Sequence, residues 1–379
     1  MKREHNRVTV NTDAYVSLLP RGRLAPSPTG RLHLGNAFAF LAAWLSIRRQ
    51  KGRLVLRVED LDPVRSRPEF VRAVMEDLLW LGLDWDEGPS AAVGERVPDG
   101  GVEAMKGEGE TGAFGPYTQS SRSRRYEEVI SQLQGRGLLY PCYCTRKELH
   151  TLASAPHLGD EGHPYPGTCR TLADSQRRAL ARAGRRSSLR LNTELAAELL
   201  GEKRGTPLVL RFTDAVLGEQ ALSLDECGGD FVLRRSDGVF AYQLAVTVDD
   251  ADMHISEVLR GEDLLPSTPR QLLLFRLMGA APPDYVHVPL LYDAGGERLA
   301  KRHKSLELAA LRHAGLRPQE VLSYLGNLAA CLDSPASPGE SRQALLQRMI
   351  VGFSPRKLRG CKLTVNMDAT GMITGIRLP

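Results

Sequence analysis

Residues 23–36 read RLAPSPTGRLHLGN and run straight into the apolar stretch AFAFLAAWL at 37–45. Pro26 and Pro28 stiffen a turn, and Gly30 and Gly35 permit close backbone approach. The order is therefore strand, glycine-containing turn, apolar helix. A helix starting near Gly35 aims unpaired N–H groups and the positive end of its dipole at whatever sits above it, which suits a phosphate. His33, immediately before that helix, is placed to donate to phosphate oxygens as charge builds on them. The plainer alternative is an ordinary strand–turn–helix junction with a surface histidine.

Outward from this stretch, RLVLRVED at 53–60 alternates, with Leu54, Leu56 and Val58 on one face and Val55, Arg57 and Glu59 on the other. Strand, helix and strand make a βαβ unit, so an α/β fold with a parallel sheet is expected. Residues 1–22 read as a loose tail, and the Gly-rich stretch 88–115 as a loop insertion within the first half of an α/β domain, 23–139. The segment from Arg122 to Gly135 has a helical pattern, and 140–228 reads as an irregular inserted subdomain. The second half, 229–332, opens with a hairpin around Ser236, Asp237 and Gly238, followed by a helix ending in acids. Thr268, Pro269 and Gln271 carry a helix-start signature, with Thr as cap and Gln in the capping-box position. Residues 286–291 form a short strand. Beyond Asp333 proline, serine and glycine break every pattern, and 333–379 is left as an extension.

A chain of 379 residues allows two or three domains and a large core without disulfides. With 42% hydrophobic and 25% charged residues it is neither a disordered chain nor a collagen. The longest apolar run, 37–45, falls well short of the ~20 residues that span a bilayer. The N-terminus lacks the apolar core of a signal peptide. Six cysteines, two of them in C-x-C spacing, read as reduced thiols or a metal site, so a cytoplasmic location is expected. A net charge of +5 permits a polyanionic partner without requiring one.

Two further clusters carry chemistry. The basic run from Glu297 to Ser305, with Arg298, Lys301 and Arg302, follows a Gly-Gly turn. Mobile cations there can stabilise a pentavalent phosphoryl transition state, although a solvated basic turn is the commoner fate of such runs. Cys142, Cys144 and Cys169 place three thiols within 28 residues. They can bind one soft cation if a fourth ligand completes the tetrahedron, or they can simply be buried thiols.

The residues 33–36, His-Leu-Gly-Asn, resemble the HIGH motif of class I aminoacyl-tRNA synthetases, and 298–302, Arg-Leu-Ala-Lys-Arg, resemble KMSKS. RLAPSPTGRLHLGNA, RVEDLD at 57–62, QSSRSRRY at 119–126, DFVLRRSDGVFAYQLAVTVDD at 230–250 and LRGEDLLPSTPRQ at 259–271 are similar to the glutamyl branch. Five ordered blocks span Arg23 to about Leu328. Asn36 stands where other branches have a second histidine, and Arg298, Ala300 and Arg302 replace the first lysine and both serines of KMSKS. The charge is kept and the hydroxyls are lost.

The resemblance implies a Rossmann-like catalytic domain with an inserted zinc-bearing α/β subdomain, in which ATP, with Mg, and L-glutamate condense to glutamyl-adenylate. By resemblance His33 and Lys301 are catalytic, and His33, Gly35, Asn36 and Lys301 hold ATP. Arg23, Ala25, Ser27, Glu59, Tyr242 and Arg260 hold glutamate, with Glu59 on the ammonium. Each arginine can fork a carboxylate or, alternatively, pair with a nearby acid. Asp60 and Asp62 are left to cap the next helix. Cys142, Cys144, Tyr165 and Cys169 are the implied ligands of one structural zinc, with His163 competing as the fourth, while Cys227, Cys331 and Cys361 pack.

About 75 residues follow Ser305, which leaves no room for the anticodon domain of a discriminating glutamyl-tRNA synthetase. The expectation is therefore the truncated branch, the glutamyl-queuosine tRNA(Asp) synthetases. These activate glutamate without tRNA and pass it to queuosine in the anticodon loop of tRNA(Asp), here as a monomer. Arg177, Arg178, Arg182, Arg185 and Arg186 either contact RNA phosphates or form a solvated helix face. The rival functions are a compact core that charges the tRNA 3′ end and a paralogue that binds RNA without chemistry.

Overall fold

The structure, a computed structural model, describes residues 19–90, 109–145, 148, 165–299 and 306–366. Lys301, Ala300, Arg302 and His163, with most of the N-terminal tail and of the 88–115 loop, lie outside the described residues. Strand β1 (Arg21–Leu24), helix α1 (Leu34–Arg49) and strand β2 (Arg53–Leu56) form the expected βαβ unit, with Arg23 paired to Val55 in parallel register. The first strand begins two residues inside the stretch read as tail. Gly22 explains how closely α1 lies on it, since a Cβ there would come within 2.3 Å of Ile47.

The alternation along β2 separates two cores rather than core from solvent. Leu54 and Leu56 pack with α1 and helix α2 (Pro68–Leu81), whereas Val55 joins a second core with helix α3 (Ser123–Gly135). Strands covered on both faces belong to layered α/β architecture.

Beside β1 lies β10 (Glu257–Gly261), linked by the Ser256 N–H to Arg21 O bond at 2.9 Å. β10 pairs in parallel with β11 (Asp284–Val288), and β11 in parallel with the end of β7 (Val209–Asp214). β8 (Gly218–Ser223) then adds antiparallel to β7, so the sheet is mixed, not wholly parallel. The cause is that residues 209–223, read as part of the insertion, fold back as a hairpin onto the catalytic sheet. The rest of the insertion carries helices α4 (Asp174–Arg182) and α5 (Thr193–Leu199) and an antiparallel sheet of β5 (Leu139–Cys142) and β6 (Ser188–Leu191), completed by β9 (Val232–Arg234) from just beyond the stretch read as insertion. Two-residue strands β3 (Gly88–Pro89) and β4 (Glu110–Thr111) pair at the base of the Gly-rich loop.

Helix α6 (Tyr242–Asp252) ends in the expected acids, but they are buried. Asp249 accepts from Gln119 at 2.7 Å, Arg122 at 2.6 Å and Tyr126 at 3.0 Å, while Asp250 accepts from Arg57 at 2.6 Å. Three of the separate sequence blocks thus meet at one pair of carboxylates. Helix α7 (Thr268–Met278) starts where expected but is not capped as expected. Its N-cap position is Ser267, and the Thr268 and Gln271 side chains bind Arg260 instead.

The extension is structured. After α8 (Leu308–His313) and α9 (Pro318–Leu328), helix α10 (Arg342–Gly352) packs Leu345, Leu346 and Met349 into the core of α1. β12 (Leu291–Asp293) pairs in parallel with β13 (Leu363–Val365). Ser341 caps α10 through Ala344 N–H at 3.1 Å, so a cap and an i, i+1, i+4 apolar pattern were present in the sequence. Among the described residues no helix is long and apolar enough to cross a membrane.

Candidate active site and cysteine cluster

The β1–α1 turn, the end of β2, the start of α6 and the end of β10 enclose a cavity of about 400 Å³. Arg23, Ala25, Ser27, His33, Gly35, Asn36, Glu59, Tyr242 and Arg260 all line it, as do Arg298 and Leu299. Lys301 lies outside the described residues. The cavity opens at the carboxyl ends of parallel strands, where open α/β sheets bind ligands.

At one end, α1 starts at Leu34 with His33 as its N-cap. The Gly35 and Asn36 N–H groups donate to His33 Nδ1 at 3.1 and 3.4 Å, and Asn36 Oδ1 accepts the His33 N–H at 3.4 Å. Two helix-terminal N–H groups expected to point at a ligand are therefore engaged by the histidine itself. That engagement makes Nδ1 an acceptor and puts the imidazole proton on Nε2, the form that donates to a phosphate oxygen. The need for glycine at 35 is also local, since a Cβ would lie 3.0 Å from the His33 ring.

At the other end three charged groups converge. Glu59, 9% exposed, accepts from Arg57 Nη2 at 3.0 Å. Burial raises its carboxyl above the ordinary value against the opposing pull of Arg57 and Arg23. Arg23, 6% exposed, donates to Leu259 O at 3.1 Å and stands 3.5 Å from Asp250, so the anticipated ion pair with a nearby acid is present and long. Arg260 is 5% exposed and is held by neutral groups, Gln271 Oε1 at 2.9 Å, Thr268 Oγ1 at 2.8 Å and His287 Nε2 at 3.1 Å. Tyr242 opens α6 on the same wall, and burial raises its hydroxyl. Two cations facing one anion mirror an α-amino dicarboxylic acid, which carries two carboxylates and one ammonium.

Asp60 and Asp62 do not cap α2. Asp60 accepts from Ser120 N–H and Oγ at 2.8 and 2.7 Å, and Asp62 closes a turn through Val64 N–H at 3.2 Å. Neither Asp214 nor His287 stood out in the sequence. His287 sits inside an apolar strand pattern and Asp214 at a strand end, and only strand pairing brings them to Arg260.

In the inserted segment the sulfurs of Cys142, Cys144 and Cys169 lie within 4.8 Å of one another. Cys144 and Cys169 are 3.5 Å apart, and Tyr165 Oη stands 3.4 Å from Cys142 and 4.0 Å from Cys144. Ligands of a tetrahedral zinc with Zn–S bonds near 2.3 Å are separated by about 3.8 Å, so this donor set fits a metal such as zinc. Burial and then the neighbouring Cys142 push the Cys144 thiol up to about 12, a cost that a divalent cation relieves. Cys331 packs as expected, whereas Cys361 is exposed.

Residues 21–334 match the family described as tRNA synthetases class I (E and Q), catalytic domain. A glutamyl-Q tRNA(Asp) synthetase of Nitratidesulfovibrio vulgaris is 52% identical over 82% of this chain and 87% of its own length. Another, from Symbiobacterium thermophilum, is 47% identical over 83% and 88%. The solved glutamate tRNA ligase of Elizabethkingia meningosepticum superposes with a TM-score of 0.69 at 23% identity, covering 91% of this chain and 67% of that one, which establishes a class I glutamyl-tRNA synthetase-like α/β fold. The chain thus belongs to the class I tRNA synthetases for Glu and Gln, and within them to the glutamyl-Q tRNA(Asp) synthetase family.

Proposed function

We propose that this protein joins L-glutamate to ATP and then transfers the glutamyl group to queuosine in the anticodon loop of tRNA(Asp). The observation that carries the amino-acid half is the cavity's charge pattern. Arg23 and Arg260 take the two carboxylates, and Glu59, steadied by Arg57, takes the ammonium. Ala25, Ser27 and Tyr242 complete the lining beside them. Held this way, the α-carboxylate is aimed toward the α1 N-terminus, where His33 Nε2–H and Lys301 receive the ATP phosphates and Gly35 and Asn36 line the approach while their N–H groups hold the His33 ring.

In the first step a glutamate carboxylate oxygen attacks the α-phosphorus, the bond to the bridging oxygen breaks and pyrophosphate leaves. His33 Nε2–H and the Lys301 ammonium stabilise the charge that gathers on the phosphoryl oxygens. In the second step a hydroxyl of the queuosine cyclopentene-diol attacks the acyl carbon, AMP leaves and the hydroxyl proton passes to solvent or to the AMP phosphate. The mixed anhydride is already activated, so transfer rests on positioning more than on a strong base.

Cys142, Cys144, Tyr165 and Cys169 hold one structural zinc in this reading, bracing the sheet of β5, β6 and β9. The chemistry of the donor set supports it, three buried or half-buried thiols and a phenol around one point. Metal analysis of the purified protein should return about one zinc per chain, and Cys142→Ser should release it. A metal-free parent protein sinks the assignment.

Exchange of labelled pyrophosphate into ATP, with glutamate and without tRNA, tests the first step. Glutamate charging of queuosine-bearing tRNA(Asp) against its unmodified twin tests the second. Charging of tRNA(Glu) in place of the modified tRNA(Asp) would make this a compact 3′-end synthetase. Absence of exchange would leave only RNA binding.

A further inference from the structure

Arg260 owes its place to two residues that do not themselves line the substrate cavity. Asp214 ends β7, His287 lies on β11 and Arg260 on β10, so the strand order carries one side chain to the next across the sheet. His287 is wholly buried, and its backbone N–H and its Nδ1 both meet Asp214 Oδ2, at 3.0 and 2.7 Å. The other carboxylate oxygen accepts the N–H groups of Val216 and Leu217, each at 2.9 Å. A carboxylate so engaged only accepts, so the imidazole proton sits on Nδ1 and the Nε2 lone pair faces out. Into it the Arg260 Nε–H donates at 3.1 Å.

The geometry points to His287, fixed by Asp214, as a positioning residue that orients the Arg260 guanidinium for a substrate carboxylate while leaving its charge uncompensated. Arginine has five N–H donors; with Nε on His287, one on Gln271 and one on Thr268, a single N–H remains on each Nη. Every one of those acceptors is neutral, and among the described residues no carboxylate pairs with Arg260. An acid in the place of His287 would hold the guanidinium as firmly and cancel the attraction that a substrate carboxylate needs. The Tyr285 ring, stacked on His287 at 5.9 Å with 11° between planes, keeps the imidazole from turning. The charged groups facing His287 are Asp214 on one side and Arg260 and Arg23 on the other, and burial lowers its pKa to about 4, which keeps it neutral. This inference rests on the glutamate-activating function proposed above.

The test separates the two ring nitrogens. Asn places a donor where Nδ1 is and supplies nothing to Arg260, whereas Gln reaches the Nε2 position with an acceptor. His287→Asn is expected to raise the KM for glutamate about tenfold or more in pyrophosphate exchange, with the KM for ATP little changed. His287→Gln should recover most of that loss. Equal rises in both KM values, or a glutamate KM at the wild-type level in His287→Asn, would overturn the proposal. Ring nitrogen NMR of the wild-type protein gives an independent reading that needs no variant. Nε2 of His287 should stay unprotonated between about pH 5 and 8 with glutamate bound, and a protonated Nε2 would also overturn it. Wild-type protein without any glutamate-dependent exchange would strike at the proposed function instead, which the NMR tautomer does not test.

Discussion

The two ends of the cavity are built in opposite ways. The end proposed for the phosphates is assembled within four consecutive residues, because His33 caps its own helix through Gly35 and Asn36. The end proposed for glutamate needs β1, β2, β7, β10, β11 and the start of α7 to bring Arg23, Glu59 and Arg260 together. Their electrostatics differ too. Around Arg57 the protein balances a cation with Glu59, Asp249 and Asp250, whereas Arg260 is given only neutral partners. Balanced groups build structure, and an unbalanced one is left to act on a ligand.

This division predicts that damage at the His33 end lowers the rate of adenylate formation, and that damage at the Arg260 end raises the glutamate requirement. The largest effect is expected from Lys301→Ala, which should slow pyrophosphate exchange about a thousandfold while glutamate binding by calorimetry stays near wild type. Loss of glutamate binding by the same factor would erase the distinction. Next, Arg260→Ala should raise the glutamate KM about a hundredfold through loss of a charge-assisted contact in a desolvated pocket. Unchanged glutamate saturation would remove Arg260 from the pocket. A smaller change tests the local construction, since Gly35→Ala puts a methyl 3.0 Å from the His33 ring and must displace it. Exchange should slow about tenfold at an unaltered glutamate KM, and a shifted glutamate KM would show that the two ends are coupled.

The smallest effect concerns what lies beneath the phosphate end. Asp77 of α2 is buried, one of its oxygens has no partner, and its backbone bond comes from Leu32, next to His33. Burial, outweighing the pull of Arg31, raises its carboxyl to about 6. A carboxyl raised above its unfolded value contributes fully at pH below that unfolded value and loses its contribution as pH rises through about 6, because ionising it in place is costly. Asp77→Asn should therefore raise the melting temperature by a few degrees at about pH 8 and change little near pH 4. Equal shifts at both pH values would mean that packing, not ionisation, sets the cost. His287 has the opposite sign. Its lowered pKa makes stability full above its ordinary value of 6.5 and eroded as pH falls toward about 4.

Legibility in the sequence followed the same division. The β1–α1–β2 unit, the helix at 123–135 and the helix ending in Asp249 and Asp250 could be read because period and turn residues are local signals. The hairpin of β7 and β8 reads in sequence as part of the insertion, because nothing local says that it pairs with β11. Thr268 and Gln271 carried a capping signature, yet a buried guanidinium competes for the same oxygens and wins, since a charged donor in a dry site binds more strongly than a helix N–H. The extension hid a capped helix and a strand behind proline, serine and glycine.

What the sequence by itself determined was the α/β class, the turn from β1 into α1 and the three clustered thiols, all set by residues within a few tens of positions of each other. Which acid or cation stands against which was decided only by tertiary structure. Asp214, Arg260 and His287 meet through strand order, and an arginine's chemistry depends less on its own identity than on whether its neighbours across the sheet carry charge.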